Sequence, residues 1–186
     1  MANVDALVRE YERFVALPWQ TGLSGAEKVW FALYAPADER RLRNRLAAFE
    51  LATTKAGHGW QLVDLTDAFA RWMAAHEYRD AYFDAPDLLE EMALDGFAQS
   101  CAARVSVALD GPENAERTVV AVTGAASLFG LTRVSRLVEA VAERVRGRLL
   151  VFFPGEYVDN KYRLLDARDG WNYRATPIMA REVGTI

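Results

Sequence analysis

The stretch that decides the fold is Arg117 to Thr123 (RTVVAVT), a near-continuous run of β-branched residues. A second apolar run, Arg148 to Phe153 (RLLVFF), follows it and stops at Pro154-Gly155. Strands of a parallel sheet, which are covered on both faces, have this uniformly apolar composition. Between the two runs, residues 128–145 carry Leu and Val at spacings of three and four, which predicts a helix. The order strand, helix, strand is that of a βαβ unit.

The same order extends towards the N-terminus. Lys28 to Tyr34 (KVWFALY) and Trp60 to Leu65 (WQLVDL) have strand length. We therefore expect an α/β fold, Rossmann-like but lacking a Walker A loop, with an open, mostly parallel sheet of four or five strands and helices on both faces. The fifth strand is expected around Tyr173–Thr176. The chain is predicted to be a single domain over 1–186, with an N-terminal helix at 3–17 and a polar, aromatic C-terminal segment at 155–186.

The helices between these strands are bounded by Pro, Gly and acidic residues. One is predicted from Pro36 to the glycines at 57 and 59, one from residue 66 to about His76, and a long one from Pro86 to about Leu109. Within the last, residues 105–107 are alternatively a strand. Residues 77–86 (EYRDAYFDAP) are aromatic, acidic and aperiodic, and are predicted to be a surface loop.

The charge of the chain is unevenly distributed. The 186 residues include 22 Lys and Arg and 26 Asp and Glu, a net charge of 22 − 26 = −4. Residues 77–116 hold ten acids and two arginines, whereas residues 129–148 hold five arginines and two glutamates. Arginine far outnumbers lysine, which indicates either a GC-rich genome or guanidinium groups that bind phosphate or carboxylate. The net charge argues against a general nucleic-acid binder. A local contact with a polyanion remains open, and its candidate residues are Arg40, Arg41, Arg45, Arg133 and Arg136.

Several classes of protein are excluded or disfavoured. No apolar run approaches the roughly 18 residues of a membrane helix, and residues 1–10 do not resemble a secretory signal. The single Cys101 excludes an internal disulfide framework and a multi-cysteine zinc site. We expect a cytoplasmic protein, because reducing compartments favour free cysteine.

One loop is a candidate for binding phosphate. Gly124, Ala125 and Ser127 follow a predicted strand and precede a helix, where free amides attract anions. A P-loop requires G-x-x-x-x-G-K-[ST], but here Gly130 is followed by Leu131-Thr132. The alternative interpretation is a tight strand-to-helix turn.

The segment after Phe153 is the most distinctive. It mixes acids, bases and aromatic residues, a composition that favours an interface. Asp159, Asp166 and Asp169 lack a calcium-loop pattern and lie among basic residues, so salt bridging is favoured over a metal site. The candidate partner-binding residues are Glu156, Tyr157, Tyr162, Arg163, Trp171, Tyr173 and Arg174.

Signals for catalysis are weak throughout. His58 and His76 have no partner at metal-ligand spacing, and no G-x-S-x-G motif is present. Cys101 falls on an apolar helix face, which favours a packed thiol. We therefore predict no catalytic residue, no metal and no cofactor, and a protein that is not an enzyme.

One resemblance goes beyond fold class. The stretches 119–157 (VVAVTGAASLFGLTRVSRLVEAVAERVRGRLLVFFPGEY) and 162–178 (YRLLDARDGWNYRATPI) resemble the C-terminal half of the BrxB family, which is encoded in BREX (bacteriophage exclusion) operons. The matched features are a strand ending in Thr123-Gly124, a helix after Phe129, the motif FPGEY at 153–157, and Tyr173-Arg174-Ala175. Residues 1–110 match in layout and length only. Residues 158–161 depart from the family's glycine and Leu-rich stretch.

This resemblance implies a cytoplasmic subunit of an anti-phage system that combines a DNA methyltransferase, an ATPase and a PglZ-type protein. The implied role is a non-catalytic assembly or adaptor subunit that binds other BREX proteins, above all the PglZ-type subunit. DNA would be contacted only indirectly or weakly, and a membrane not at all. The alternatives are a degenerate nucleotide- or phosphate-binding domain, through the loop at Gly124, and DNA contact through residues 40–45 or 133–148.

Overall fold

The computed structural model describes residues 4–89, 91–111, 115–165 and 174–180. Its strands are β1 (Val29–Tyr34), β2 (Gly59–Asp64), β3 (Thr118–Thr123), β4 (Arg148–Val158), β5 (Lys161–Leu164) and β6 (Thr176–Ile178). Its α-helices are α1 (Val4–Val15), α2 (Glu39–Arg43), α3 (Leu46–Lys55), α4 (Ala68–Ala75), α5 (Arg79–Asp84), α6 (Glu91–Asp110) and α7 (Val134–Val141). Short 3₁₀ turns precede or follow several of these elements.

The sheet confirms the predicted α/β class. Its strand order is β2-β3-β4-β1-β6, and every pairing along this path is parallel. The distal part of β4 also pairs with β5 in an antiparallel hairpin. The amino ends of the parallel strands therefore meet at one edge of the sheet, and their carboxyl ends meet at the other.

Two apolar cores cover the two faces of this sheet. One face of β1 and β4 packs against α1 and α3, through side chains such as Tyr11 and Phe49. The other face packs against α4, α6 and α7, through side chains such as Phe97 and Val138. Because β1, β3 and the first half of β4 are buried on both faces, their sequences are apolar at nearly every position.

Two local predictions are wrong. Residues 79–84 form a surface helix, α5, rather than a loop. The helix predicted from residue 128 begins at Val134, because residues 125–128 form a 3₁₀ turn and Gly130 has a positive φ of 76°. Residues 105–107 belong to α6, which confirms the predicted long helix and excludes the alternative of a strand there.

The C-terminal segment contains a β-hairpin that was not predicted. Strand β4 continues through Pro154-Gly155, turns at Asp159-Asn160 and returns as β5. Asp159 and Asn160 both have positive φ, 51° and 58°, as a two-residue type I′ turn requires. Gly155 is needed where the strands cross closely, since a Cβ there would lie 1.9 Å from the carbonyl oxygen of Arg163.

Tyr162 on β5 belongs to the core rather than to a binding rim. Its side chain is 0% exposed and packs edge-on against Phe31, with the ring centroids 4.7 Å apart. Its hydroxyl donates a hydrogen bond to the carbonyl oxygen of Ala175 at 2.6 Å. This corrects the expectation that Tyr162 contacts a partner: alternation along β5 directs Tyr162 and Leu164 inward.

Within the described ranges, no helix is both long and apolar enough to cross a membrane.

Candidate functional site

The most distinctive surface is a basic cleft at the amino edge of the sheet. A basic residue immediately precedes or begins four parallel strands: Lys28 before β1, His58 before β2, Arg117 before β3, and Arg148 at the start of β4. Because parallel strands begin at the same edge, these side chains converge. They line one cleft of about 690 Å³ together with Trp19, Arg146 and Glu116. We refer to it as the basic cleft.

Arg148 is the buried cation of the basic cleft. It is 5% exposed, and its guanidinium lies 4.7 Å from the ring centroid of Trp19 and 5.5 Å from that of Trp30. It donates hydrogen bonds to the carbonyl oxygens of Gly147 (2.9 Å) and Gln20 (3.2 Å). Burial lowers its pKa, because the charged form loses hydration. Carbonyl dipoles and aromatic faces thus hold a guanidinium that has no carboxylate within ion-pair distance among the described residues.

The wall beside Arg148 is an aromatic stack. The rings of Trp19 and His58 lie 3.8 Å apart and nearly parallel, at 8°. Burial, and then the positive charges of Arg117 and Arg148, lower the pKa of His58, while a hydrogen bond with the backbone of Arg117 opposes them. Nδ1 of His58 and the indole nitrogen of Trp19 are buried without a hydrogen-bond partner in the described chain. Such groups cost about 1–3 kcal/mol each, so they concentrate where a ligand or water is accommodated.

The charge of the basic cleft is strongly positive. Among the described residues that line the cleft, four are cations (Lys28, Arg117, Arg146 and Arg148) and one is an acid, Glu116. The Lys28 ammonium is fixed by a 3.0 Å hydrogen bond to the carbonyl oxygen of Val145. A Cβ added at Gly57 would lie 3.4 Å from Nη2 of Arg117, so that guanidinium lies against the turn before β2. Convergent arginine forks of this kind bind phosphates or carboxylates.

The predicted phosphate loop lies at the opposite, carboxyl edge. Gly124 has φ 83° and faces the turn after β2: a Cβ there would meet the backbone nitrogen of Thr66 at 2.5 Å. The Ser127 amide already donates to the carbonyl oxygen of Gly124 at 3.0 Å, and Ala125 is buried. The loop is thus packed as a strand-to-turn connection, which favours the alternative interpretation given above. Phosphate binding there stays a prediction.

A polar network crosses this carboxyl edge. Arg43 donates to Oε1 of Glu39 at 2.8 Å and to the hydroxyl of Thr66 at 2.7 Å. Tyr34 donates to the same Glu39 carboxylate, and the Thr66 amide donates to Asp64 at 2.9 Å. These bonds connect the ends of β1 and β2 across the two strands between them, which assigns the network a structural role.

The predicted polyanion residues do not form one patch. Arg45 pairs with Asp5, Arg41 with Asp38 at 3.4 Å, and Arg136 with Asp95 at 2.7 Å, so three of the five are locally neutralised. Arg40 and Arg133 are exposed. Of the wider span 133–148, only Arg146 and Arg148 lie in the basic cleft.

The predicted partner-binding residues are also dispersed. Glu156 is exposed, Tyr157 and Arg163 are half-buried on the hairpin, and Arg174 is exposed just before β6. Trp171 and Tyr173 lie outside the described residues, as do Asp166 and Asp169. Whether the described members of this set contact a partner stays a prediction.

A second groove separates α4 from α6. It measures about 470 Å³ and contains His76 and Cys101, but burial raises the pKa of Cys101 to about 11, so its thiol stays protonated at neutral pH. Arg71 and Arg104, which also line it, both approach Asp67, at 2.6 and 3.4 Å. In the described ranges, no three His, Cys, Asp or Glu side chains are grouped to hold a metal.

The region around α5 exposes large apolar side chains among acids. Tyr78, Phe83 and Leu88 are 57%, 69% and 56% exposed. Four acids lie exposed between and beside them: Glu77, Asp80, Asp84 and Asp87. We call these seven residues the acidic-aromatic surface.

The chain was compared with protein-family models, with curated proteins and with solved structures, and none of the three comparisons gave a match.

Proposed function

We propose that this chain is a non-catalytic assembly subunit of a BREX anti-phage complex, and that it binds a PglZ-type protein through the acidic-aromatic surface. The resemblance of residues 117–178 to the BrxB family supports the proposal that the chain belongs to a BREX system. The acidic-aromatic surface is the structural observation that carries the binding role.

This surface has the composition of a binding site. His76 lies against Tyr82, with ring centroids 5.2 Å apart, and so ties α5 to the end of α4. Phe83 is then directed outward and is 69% exposed. Clustered exposed apolar side chains that are rimmed by polar groups mark interaction sites, and aromatic residues dominate the binding energy of interfaces.

The charge of the surface defines the face that fits it. Asp80 is paired with Arg79 at 3.2 Å. Glu77, Asp84 and Asp87 have no cation within ion-pair distance in the part of the chain that the structure describes. An apolar pocket surrounded by Lys and Arg is therefore the complementary partner face, since complementary charge raises both association rate and specificity.

Binding of the purified chain to each BREX protein encoded beside it, measured by titration calorimetry, tests this proposal. The informative variants are Phe83→Ser/Leu88→Ser and Asp84→Lys/Asp87→Lys. The matched controls are Leu51→Ser and Glu50→Lys on α3, both exposed and on the other side of the sheet. We expect the two double variants to weaken binding at least tenfold and the controls to stay within twofold.

Two results would contradict the proposal. One is a chain that binds none of the BREX proteins at micromolar concentration. The other is binding that the controls weaken as much as the double variants, which would place the interface elsewhere.

A further inference from the structure

We infer that the basic cleft binds a small ligand that carries two or more phosphate groups, with Arg117, Arg146 and Arg148 as its principal contacts. The basic cleft is positively charged, whereas the acidic-aromatic surface is negatively charged. The inference about the cleft does not depend on the proposed adaptor role.

The arginines of the basic cleft differ from most of the other arginines in the described chain. Nine arginines of the described chain form ion pairs with Asp or Glu, and none of them lines this cleft. Arg117, Arg146 and Arg148 have no carboxylate within 4.0 Å in the same ranges. Exposed arginines such as Arg40 and Arg133 also lie outside these ion pairs, but the basic cleft brings three such guanidinium groups together. A bound anion would supply the negative charge that these three arginines lack.

Arg148 indicates that the site is prearranged. A guanidinium has five N–H donors, and the two hydrogen bonds to Gly147 and Gln20 use only part of them. Its position is fixed by those carbonyl groups and by the faces of Trp19 and Trp30. A buried cation without a carboxylate partner is unfavourable in the empty protein, and an anion that enters the cleft relieves this cost.

The number of charges and the size of the cleft favour several phosphates on a small molecule. Among the described lining residues, four cations and Glu116 leave an excess of three positive charges when His58 is neutral, which matches a di- or triphosphate. Arginine forks bind phosphate oxygens two at a time. The volume of about 690 Å³ lies within the range of small-molecule sites.

The aromatic residues argue against a nucleic-acid strand. Proteins that bind single strands stack successive bases on free aromatic faces. In the basic cleft, the Trp19 ring is already stacked on His58 and lies under the guanidinium of Arg148. The cleft therefore offers charge without a free stacking platform.

Titration calorimetry of the full chain tests the inference with inorganic triphosphate, pyrophosphate and ATP as probes. Citrate, which has a comparable charge carried by carboxylates, and a 20-nucleotide single strand are the comparison ligands. The variant is Arg117→Gln/Arg146→Gln, since both side chains are exposed and their replacement leaves the core intact. The matched control is Arg40→Gln/Arg133→Gln, which removes two exposed arginines outside the cleft. Circular dichroism confirms that both double variants fold.

We expect triphosphate and ATP to bind, the cleft variant to lose at least tenfold in affinity, and the control to stay within twofold. A second readout is the NMR titration of the His58 imidazole: bound triphosphate raises the pKa of His58, which faces Arg117 and Arg148. Three results would overturn the inference. They are no binding of triphosphate or ATP at millimolar concentration, citrate binding as tight as triphosphate, and a single strand that binds more tightly than triphosphate and loses that affinity in the cleft variant.

Discussion

Replacing Tyr162 distinguishes a core residue from a surface contact. The side chain is fully buried between Phe31, Phe153 and Tyr157, and its hydroxyl is bonded to the carbonyl of Ala175. It therefore connects the β4–β5 hairpin to the segment that leads into β6. Burial raises its pKa, so the hydroxyl remains a protonated donor at neutral pH.

Two substitutions separate the contributions of this side chain. Tyr162→Phe keeps the ring and removes the donor, which costs about 1–2 kcal/mol because a buried carbonyl loses its partner. Tyr162→Ala also removes the ring, and large-to-small changes of buried aromatic residues cost about 3–5 kcal/mol. In a domain of this size, 1 kcal/mol lowers the melting temperature by about 2–4 °C. We expect decreases of roughly 2–8 °C and 6–20 °C respectively, scaled from the same principle.

The assay is thermal and urea unfolding followed by circular dichroism, with Tyr157→Phe as the matched control. The Tyr157 hydroxyl makes an exposed hydrogen bond to Asn160 at 3.2 Å, so its loss changes stability by less than about 0.5 kcal/mol. Unchanged midpoints for Tyr162→Phe and Tyr162→Ala would refute this reasoning. Weaker partner binding in such stable variants would then restore Tyr162 to the binding rim.

Two further predictions concern the hairpin and the histidine of the basic cleft. Gly155→Ala places a Cβ 1.9 Å from the backbone oxygen of Arg163, and we expect a loss of about 1–3 kcal/mol in urea unfolding. Gly155 has no positive φ, so this loss is assigned to the contact. Gly22→Ala is the comparison for backbone strain without contact, because Gly22 has a φ of 75° and a Cβ there would meet no atom within 4 Å. An unchanged urea midpoint for Gly155→Ala would contradict the close approach of the two strands at this position. The pKa of His58 is lower in the folded chain than in the unfolded chain, so the unfolded chain binds a proton at higher pH. The stability that neutral His58 contributes is therefore complete above about pH 6.5 and is lost as the pH falls below that value. The urea midpoint of the wild type between pH 7.5 and 5.5 is therefore expected to fall more than that of His58→Gln, whereas an identical fall in the two proteins would contradict the assignment.

The strands that were predicted well from the sequence are those that are buried on both faces, because burial there restricts nearly every position to apolar residues. Val119 to Val122 and Leu149 to Phe153 are covered on both faces, so composition alone identifies them. The β4–β5 hairpin was missed because Pro154-Gly155 is normally a stop signal, whereas here Pro154 lies opposite the last residue of β1, Tyr34. Asp159-Asn160 was the available signal, since both residues tolerate the left-handed conformation that a type I′ turn requires.

The basic cleft could not be predicted from local patterns. Its four strand-boundary residues are spread over 120 positions of the chain: Lys28, His58, Arg117 and Arg148. Each of them has an ordinary local explanation as a polar residue at a strand boundary. Their convergence depends on strand order and parallel direction. The available signal was a basic residue at the amino end of every predicted long strand. In a parallel sheet these ends lie at the same edge, so the basic side chains are expected to converge there.

The position of β1 between β4 and β6 has a consequence for synthesis of the protein. Its neighbours in the sheet are β4 and β6, and Val29 pairs with Leu149, 120 residues later. At roughly 5–20 residues per second, a nascent chain waits about 6–24 s between these two residues. During that time the most apolar early segment, VWFALY, has no partner strand. Translation pauses and ribosome-associated chaperones are therefore expected to determine the yield of folded protein more than the stability of the finished sheet does.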